Sequence, residues 1–477
     1  MERIFQKTKI IATVGPACNS YEKLLRLAKE GVDVFRLNFS HGTHADHKKV
    51  IDHINKINEE FLFKIAILGD LQGPKLRVGQ MEGDGVLLKE GAEILITNEE
   101  VLGTTKQVYI SYPNFYEDVQ PGETIFFDDG KLEMKVKSLN SDKTVTMEVI
   151  IGGVLSSRKG MNLPQTKISI PAITAKDKED VKFAAEQRLD WVALSFVRKP
   201  KDVSELRDML RDLGSEAKVI AKIEKPEVLD VLRDVIVESD GIMIARGDLG
   251  VELPMAKVPM IQKEIVRMCI HRAKPVIIAT QMMESMIERT KPNRSEITDV
   301  ANAVLDGADA LMLSGETAVG KHPALVIESM ANIITEVEKE ESLYHREDLT
   351  PQEHSPSFLS DAVCYRASKM SVDVKADALI GNTQSGYTGF MLSSFRPKAP
   401  LFVFTTTKSL VHQLSLSWGV RAIYFEQADS LDDIIQDQIT ALKDRDLVKE
   451  GDVVVVTGST PVEEQLPTNL IKVTRVK

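Results

Sequence analysis

The sequence predicts an α/β protein: a (β/α)8 TIM barrel with an inserted all-β domain and a C-terminal α/β domain. Three observations carry this. Eight short apolar runs, each followed by a helix-length amphipathic segment, recur through the first 340 residues or so. One interval between runs is far too long and has another texture, with turn pairs separating short alternating stretches. After a polar, proline-bearing segment, strand and helix patterns alternate again.

In chain order, the runs are KIIATV from Lys9, VDVFRLNF from Val32, IAILGDL from Ile65, WVALSF from Trp191, KVIAKIE from Lys218, GIMIAR from Gly241, PVIIAT from Pro275 and ALMLSG from Ala310. Uninterrupted Val, Ile, Leu and Ala suit parallel strands buried on both faces. Between the third and fourth runs, EGDG, QPGE, DDGK and NSDK punctuate alternating stretches such as TIFF, KLEMKV and TVTMEVI. The expected division is therefore 1–73 with 170–345 for the barrel, 74–169 for an inserted β-barrel lid, and 351–477 for the α/β domain. The last boundary falls near residue 350, in REDLTPQEHSPS.

Composition narrows the function. The chain has 477 residues, 43% hydrophobic, with a formal net charge of −11. An acidic surface argues against nucleic acid or an anionic membrane as main partner. No apolar run approaches the length of a membrane span, and the N-terminus lacks a secretory pattern, so a cytoplasmic protein is expected. Cys18, Cys269 and Cys364 are scattered without CxxC spacing, which excludes a disulfide framework and a structural zinc site.

Polar residues gather where the runs stop, and in a barrel that end bears the active site. Lys222 and Glu224 lie two apart at the end of run five and share one side of a strand, a phosphate-seeking cation beside a metal-seeking carboxylate. Asp248, past run six, supplies a second carboxylate for a divalent ion. Arg36, Asn38 and Ser40 end run two; Asp70 ends run three, and Gly73 and Pro74 after it suit a hinge. Lys75 and Arg77 enter the insert, and Arg158 and Lys159 leave it, so cations flank one cleft from both connections. Thr280 tips run seven, and Ser314 and Glu316 follow run eight. His41, His44 and His47 recur every three residues but read as the start of a helix, and Met282, Met283 and Met286 read as packing. The pattern fits phosphoryl transfer; a lyase or aldolase using a metal-bound enolate would explain Lys222, Glu224 and Asp248 but not the cationic insert.

Eight segments in order, ATVGPA, RLNFSHG, GDLQGPKLR, RKGMNLP, AKIEKPE, ARGDLGVE, ATQMMESM and LSGETAVGKHP, resemble the pyruvate kinase family across nearly the whole chain. The resemblance implies transfer of the phosphoryl group of phosphoenolpyruvate to ADP, giving pyruvate and ATP, with allosteric control through the C-terminal domain. It implies that Glu224 and Asp248 hold Mg2+ or Mn2+, that Lys222 stabilises the moving phosphoryl group, and that Arg36 contacts it. Gly247, Asp248 and Thr280 then receive the substrate carboxylate, with Thr280 placed for proton delivery, and Arg77 and Lys159 meet the nucleotide phosphates.

Many relatives read DTKGPE and hold K+ around the equivalents of Asn38, Ser40, Asp70 and the Leu71 backbone. Here the segment is DLQGPK, which resembles the subgroup that works without K+. Lys75 puts an ammonium where the relatives have a carboxylate, and at ~4 Å two cations repel by about 4 kcal/mol at an effective dielectric of 20. In the C-terminal domain Thr383, Ser385, Gly386 and Thr388 match the family's effector-phosphate loop, a cluster of hydroxyls and backbone N–H groups. The second effector loop bears Glu463 and Glu464, which would repel a second phosphate; the expected effector is a sugar monophosphate or AMP. The family also implies a homotetramer.

Overall fold

The computed structural model describes residues 5–61, 63–344, 350–351, 355–426, 430–461, 464 and 466–477. The expected boundary near 350 lies largely outside these residues.

Eight parallel strands close into a barrel: Lys9–Thr13, Val34–Asn38, Ala66–Asp70, Trp191–Leu194, Lys218–Ile223, Gly241–Ala245, Val276–Ala279 and Ala310–Leu313. They correspond one for one to the eight apolar runs, and each lies beside its predecessor, with the eighth pairing back to the first. Alternation along each strand builds two cores. Ile10, Ala12, Phe35 and Leu37 face the helices. Ile11, Val34, Leu68, Ala193, Ile220 and Met243 fill the barrel interior.

The interior parity continues past the apolar layers. Two residues beyond Ile11, Val34, Leu68, Ala193 and Ile220 come Thr13, Arg36, Asp70, Ser195 and Lys222. The same alternation that fills the barrel therefore delivers its charged mouth.

The insert leaves after Gly73, whose φ of +65° a side chain would strain and whose N–H donates to Asp177 Oδ1 at 3.1 Å. Its outgoing and returning chains pair antiparallel: Val78 N–H donates to Lys159 O at 2.9 Å and Met161 N–H to Leu76 O at 3.0 Å. Beyond them the strands are divided between a six-stranded and a two-stranded sheet, around a separate core that includes Val108, Tyr112, Phe127 and Met134.

The C-terminal domain has a five-stranded sheet. Four strands are parallel, and the last, Leu470–Arg475, joins antiparallel at the edge. The sequence reading missed that strand because LIKVTR carries no apolar run; it is only half-buried, as an edge strand is.

This domain closes the barrel floor. Leu416 joins the interior apolar cluster, Trp191 Nε1 donates to Gln413 O at 3.2 Å, and Lys9 Nζ donates to Val420 O at 3.2 Å. Arg396 is buried against Asp309, with Nη1 to Oδ1 at 3.0 Å and Nη2 to Oδ2 at 3.2 Å. Among the described residues no helix is long and apolar enough to cross a membrane.

Candidate active site

Five strand ends build the mouth's polar centre. Arg36 Nε donates to Asp70 Oδ2 at 2.6 Å, and its Nη1 donates to Thr13 Oγ1 at 3.0 Å. Lys222 Nζ lies 2.7 Å from Glu224 Oε1 and 3.4 Å from Asp70 Oδ1, and donates to Ser195 Oγ at 2.8 Å. Burial alone would raise the Asp70 pKa, yet Lys222 and Arg36 hold it below the ordinary carboxylate value. Burial likewise works against the Lys222 ammonium, but Asp70 and Glu224 prevail and raise its pKa well above the usual lysine value. Lys222 is thus a fixed positive charge.

The Glu224 Oε2 atom accepts from Phe196 N–H at 3.0 Å, leaving the carboxylate rigid. Asp248 is pushed up to about 6, by burial first and by Glu224 second. Two facing carboxylates that repel suit a shared divalent cation, since oxygen ligands from the protein can be few when substrate and water complete the shell. No group of three or more His, Cys, Asp or Glu among the described residues could hold a metal ion. His44 instead meets Asp180 at 2.8 Å and stacks on Phe183, and His47 bonds His41 O, so the histidine triplet is structural.

Thr280 sits at the tip of strand seven with φ +68°. Its Oγ1 accepts from Gly247 N–H at 2.7 Å and donates to Ala279 O at 2.6 Å. A Cβ at Gly247 would stand 3.3 Å from that hydroxyl oxygen, so glycine keeps the approach open. Met282, Met283 and Met286 are fully buried, as packing residues should be. Glu316 is buried too, accepting from Ser314 N–H at 2.7 Å and Met283 N–H at 3.2 Å; its carboxylate braces the loop.

Lys75 Nζ reaches Ser40 Oγ at 3.3 Å, and Asn38 Oδ1 accepts from Ser40 N–H at 3.1 Å. Burial, then Arg77 and Lys222, lower the Lys75 pKa, while Asp248 and Asp70 oppose them. Leu71 is buried, and its carbonyl accepts from Ser195 Oγ at 2.7 Å. Arg77 Nη1 contacts Arg158 O at 3.5 Å, so the two connections to the insert meet through it. Lys159 is paired to Asp128 Oδ1 at 2.9 Å within the insert.

A cleft of about 950 Å³ lies between barrel and insert, with Asp248, Thr280 and Ser314 on one wall and Phe126, Asp129 and Glu133 on the other. Sequence reasoning missed Ser195, which links Lys222 to the Leu71 carbonyl, and Arg246, which cradles the Thr280 tip. Ser195 was available from parity, two positions after Ala193. Arg246 faces out of that pattern and gave no signal.

In the C-terminal domain Thr383, Ser385 and Thr388 line a second cavity of about 560 Å³, into which the helix Tyr387–Ser394 begins. Gly386, φ +91°, donates from its N–H to Thr383 Oγ1 at 2.9 Å, and the Thr388 hydroxyl meets Thr468 Oγ1 at 2.7 Å. Glu464 is exposed; Glu463 lies outside the described residues.

Residues 5–327 match the family profile for the pyruvate kinase barrel domain, and 361–474 match that for its alpha/beta domain. The chain is 39% identical to a pyruvate kinase of Geobacillus stearothermophilus over 98% of its length and 80% of that protein's. It is 41% identical to pyruvate kinase 2 of Synechocystis sp. over 99% of its length and 80% of that protein's. The crystal structure of a pyruvate kinase from Cryptosporidium parvum superposes with a TM-score of 0.92 at 34% identity, covering 98% of this chain and 96% of that one.

Proposed function

The chain belongs to the pyruvate kinase family, and from that premise we propose how its own residues carry the family reaction. That reaction moves the phosphoryl group of phosphoenolpyruvate to ADP. The bond from phosphorus to the enol oxygen breaks, one to the terminal oxygen of ADP forms, and the enolpyruvate left behind takes a proton at C3 to become pyruvate.

Arg36 and Lys222 bind the phosphoryl oxygens and meet the charge that spreads over them in the transition state. The observation that carries this assignment is the placement of Lys222, a buried, permanently charged ammonium fixed by Asp70, Glu224 and Ser195. Glu224 and Asp248 are the residues that would hold Mg2+ or Mn2+, which when bound neutralises carboxylate and phosphate oxygens. The Gly247 and Thr280 edge receives the substrate carboxylate, and the Thr280 hydroxyl supports proton delivery to C3. Arg77 and Lys159 bind the phosphates of ADP or ATP, Lys159 exchanging Asp128 for them.

Lys75 takes the place of a monovalent cation beside Ser40, so K+ is not required. The cavity at Thr383, Ser385, Gly386 and Thr388 takes the phosphate of a sugar monophosphate or of AMP, and through it the C-terminal domain regulates the barrel. The protein works as a cytoplasmic homotetramer.

ADP-dependent pyruvate formation in a coupled assay, run in tetramethylammonium buffer with Lys222→Met as control, tests the core of this reading. Activity lost in Lys222→Met supports it, and full activity in that variant would overturn it. Titrating ribose 5-phosphate, AMP and fructose 1,6-bisphosphate in the same assay tests the effector; a response to the bisphosphate alone would overturn the monophosphate assignment.

A further inference from the structure

The tip of barrel strand seven is held in an unusual backbone form. Thr280 and Gln281 are consecutive residues with φ of +68° and +52°, a region where a β-branched residue such as threonine is rare and strained. Such a pair persists only when its surroundings enforce it. Arg246 is placed to do so: Nη2 donates to Thr280 O at 2.9 Å and to Gln281 O at 3.2 Å, and lies 2.9 Å from Met282 Sδ. Asp299 binds both outer nitrogens, with Oδ1 to Nη1 and Oδ2 to the same Nη2 at 2.7 Å each, so one Nη2 hydrogen goes to Asp299 and the other is shared between the two carbonyls. The buried Nε meets no acceptor, so the outer nitrogens alone fix the guanidinium. The residue after Arg246 is Gly247, whose N–H donates to the Thr280 hydroxyl.

We propose that Arg246, clamped by Asp299, is a positioning residue that holds the Thr280–Gln281 backbone in its left-handed form and so aims the Thr280 hydroxyl into the mouth. The proposal rests on the reading of Thr280 as the carboxylate-binding and proton-delivering group. A lysine could supply the charge but not the planar fork, because a point cation cannot bind a carboxylate through two parallel bonds while also meeting two carbonyls.

The experiment compares Arg246→Lys, Asp299→Asn and Thr280→Ala in the full-length enzyme. It measures kcat, KM for each substrate, the thermal midpoint, and exchange of pyruvate methyl protons with D2O by NMR in the presence of ATP and Mg2+. Arg246→Lys should lower kcat about tenfold or more and raise KM for phosphoenolpyruvate, leave KM for ADP unchanged, and slow methyl exchange in the same sense as Thr280→Ala. Asp299→Asn, which keeps the arginine, should shift the same quantities less. If Thr280→Ala slows exchange while Arg246→Lys and Asp299→Asn exchange normally, the clamp proposal fails alone. If Thr280→Ala exchanges normally, the reading of Thr280 fails first. A loss confined to the thermal midpoint, or one that raises both KM values equally, overturns the positioning role.

Discussion

The ammonium of Lys222 lies 2.7 Å from the Glu224 carboxylate, which follows it by two residues on the same strand end. With Asp70 at 3.4 Å the cation is held by two acids, so its charge does not depend on a bound ligand. Lys222→Met should therefore lower kcat by about 10²- to 10³-fold or more, the scale for deleting one preorganised charge at a reacting centre. Binding of phosphoenolpyruvate should weaken much less. Steady-state kinetics separate the two; a raised KM for phosphoenolpyruvate with kcat unchanged would assign Lys222 to ground-state binding.

The contact between Lys75 and Ser40 predicts a switchable ion requirement. Lys75→Glu removes the fixed ammonium and restores a carboxylate, and the variant should show little activity in tetramethylammonium buffer and rise several-fold with added K+. The parent enzyme should respond weakly. Activity against K+ concentration for both proteins is the measurement.

Asp190 and His412 face each other at the floor of the barrel, 3.8 Å apart, and their titrations oppose. Burial raises Asp190 to about 7, so its contribution to stability is fully present below its unfolded value of 3.8 and is lost as pH rises toward 7. Burial, helped by Lys64, lowers His412 to about 4, so its contribution is present above 6.5 and is lost as pH falls toward 4. In the window between about 4 and 6.5 the two slopes have opposite sign and offset. Asp190→Asn should then show a thermal midpoint that rises with pH through this window, and His412→Gln one that falls, while the parent stays flatter than either. Calorimetry across that window, from about pH 4 to 6.5, reads all three.

Arg396 and Asp309 form a buried pair between the C-terminal domain and the barrel. Asp309 also accepts from Val276 N–H at 3.0 Å, at the start of strand seven. Arg396→Met strands that carboxylate and should cost about 3–5 kcal/mol of stability, measured by denaturant unfolding. Adding Asp309→Asn should recover much of the loss, because the pair rather than the single charge is what burial tolerates.

The strand ends were legible because a closed parallel barrel ties side-chain alternation to position: every second residue points inward, and the last inward residue of each strand reaches the mouth. Arg36, Asp70, Lys222 and Glu224 followed from that rule. Arg246 did not, because its role depends on a strained backbone at Thr280 and on Asp299, which lies 53 residues away. The docking of Leu416 and Gln413 under the barrel was equally hidden. A leucine in LSLSWG carries no sign of which domain's core will receive it. The edge strand Leu470–Arg475 escaped because half-buried Lys472 and Thr474 and exposed Arg475 read as loop.

The seat of Leu416 has a consequence for how this chain can be divided. Two sequence profiles describe it as separate parts, but the apolar stack inside the barrel is completed by a side chain from the second part. A barrel expressed without the residues after Phe358 would leave the undersides of Trp191 and its neighbours wet, and such an open apolar floor favours association between copies over independent folding. The catalytic portion is thus separable on paper and dependent in water. The C-terminal domain thus touches the base of the same barrel whose opposite end carries Arg36, Asp70 and Lys222.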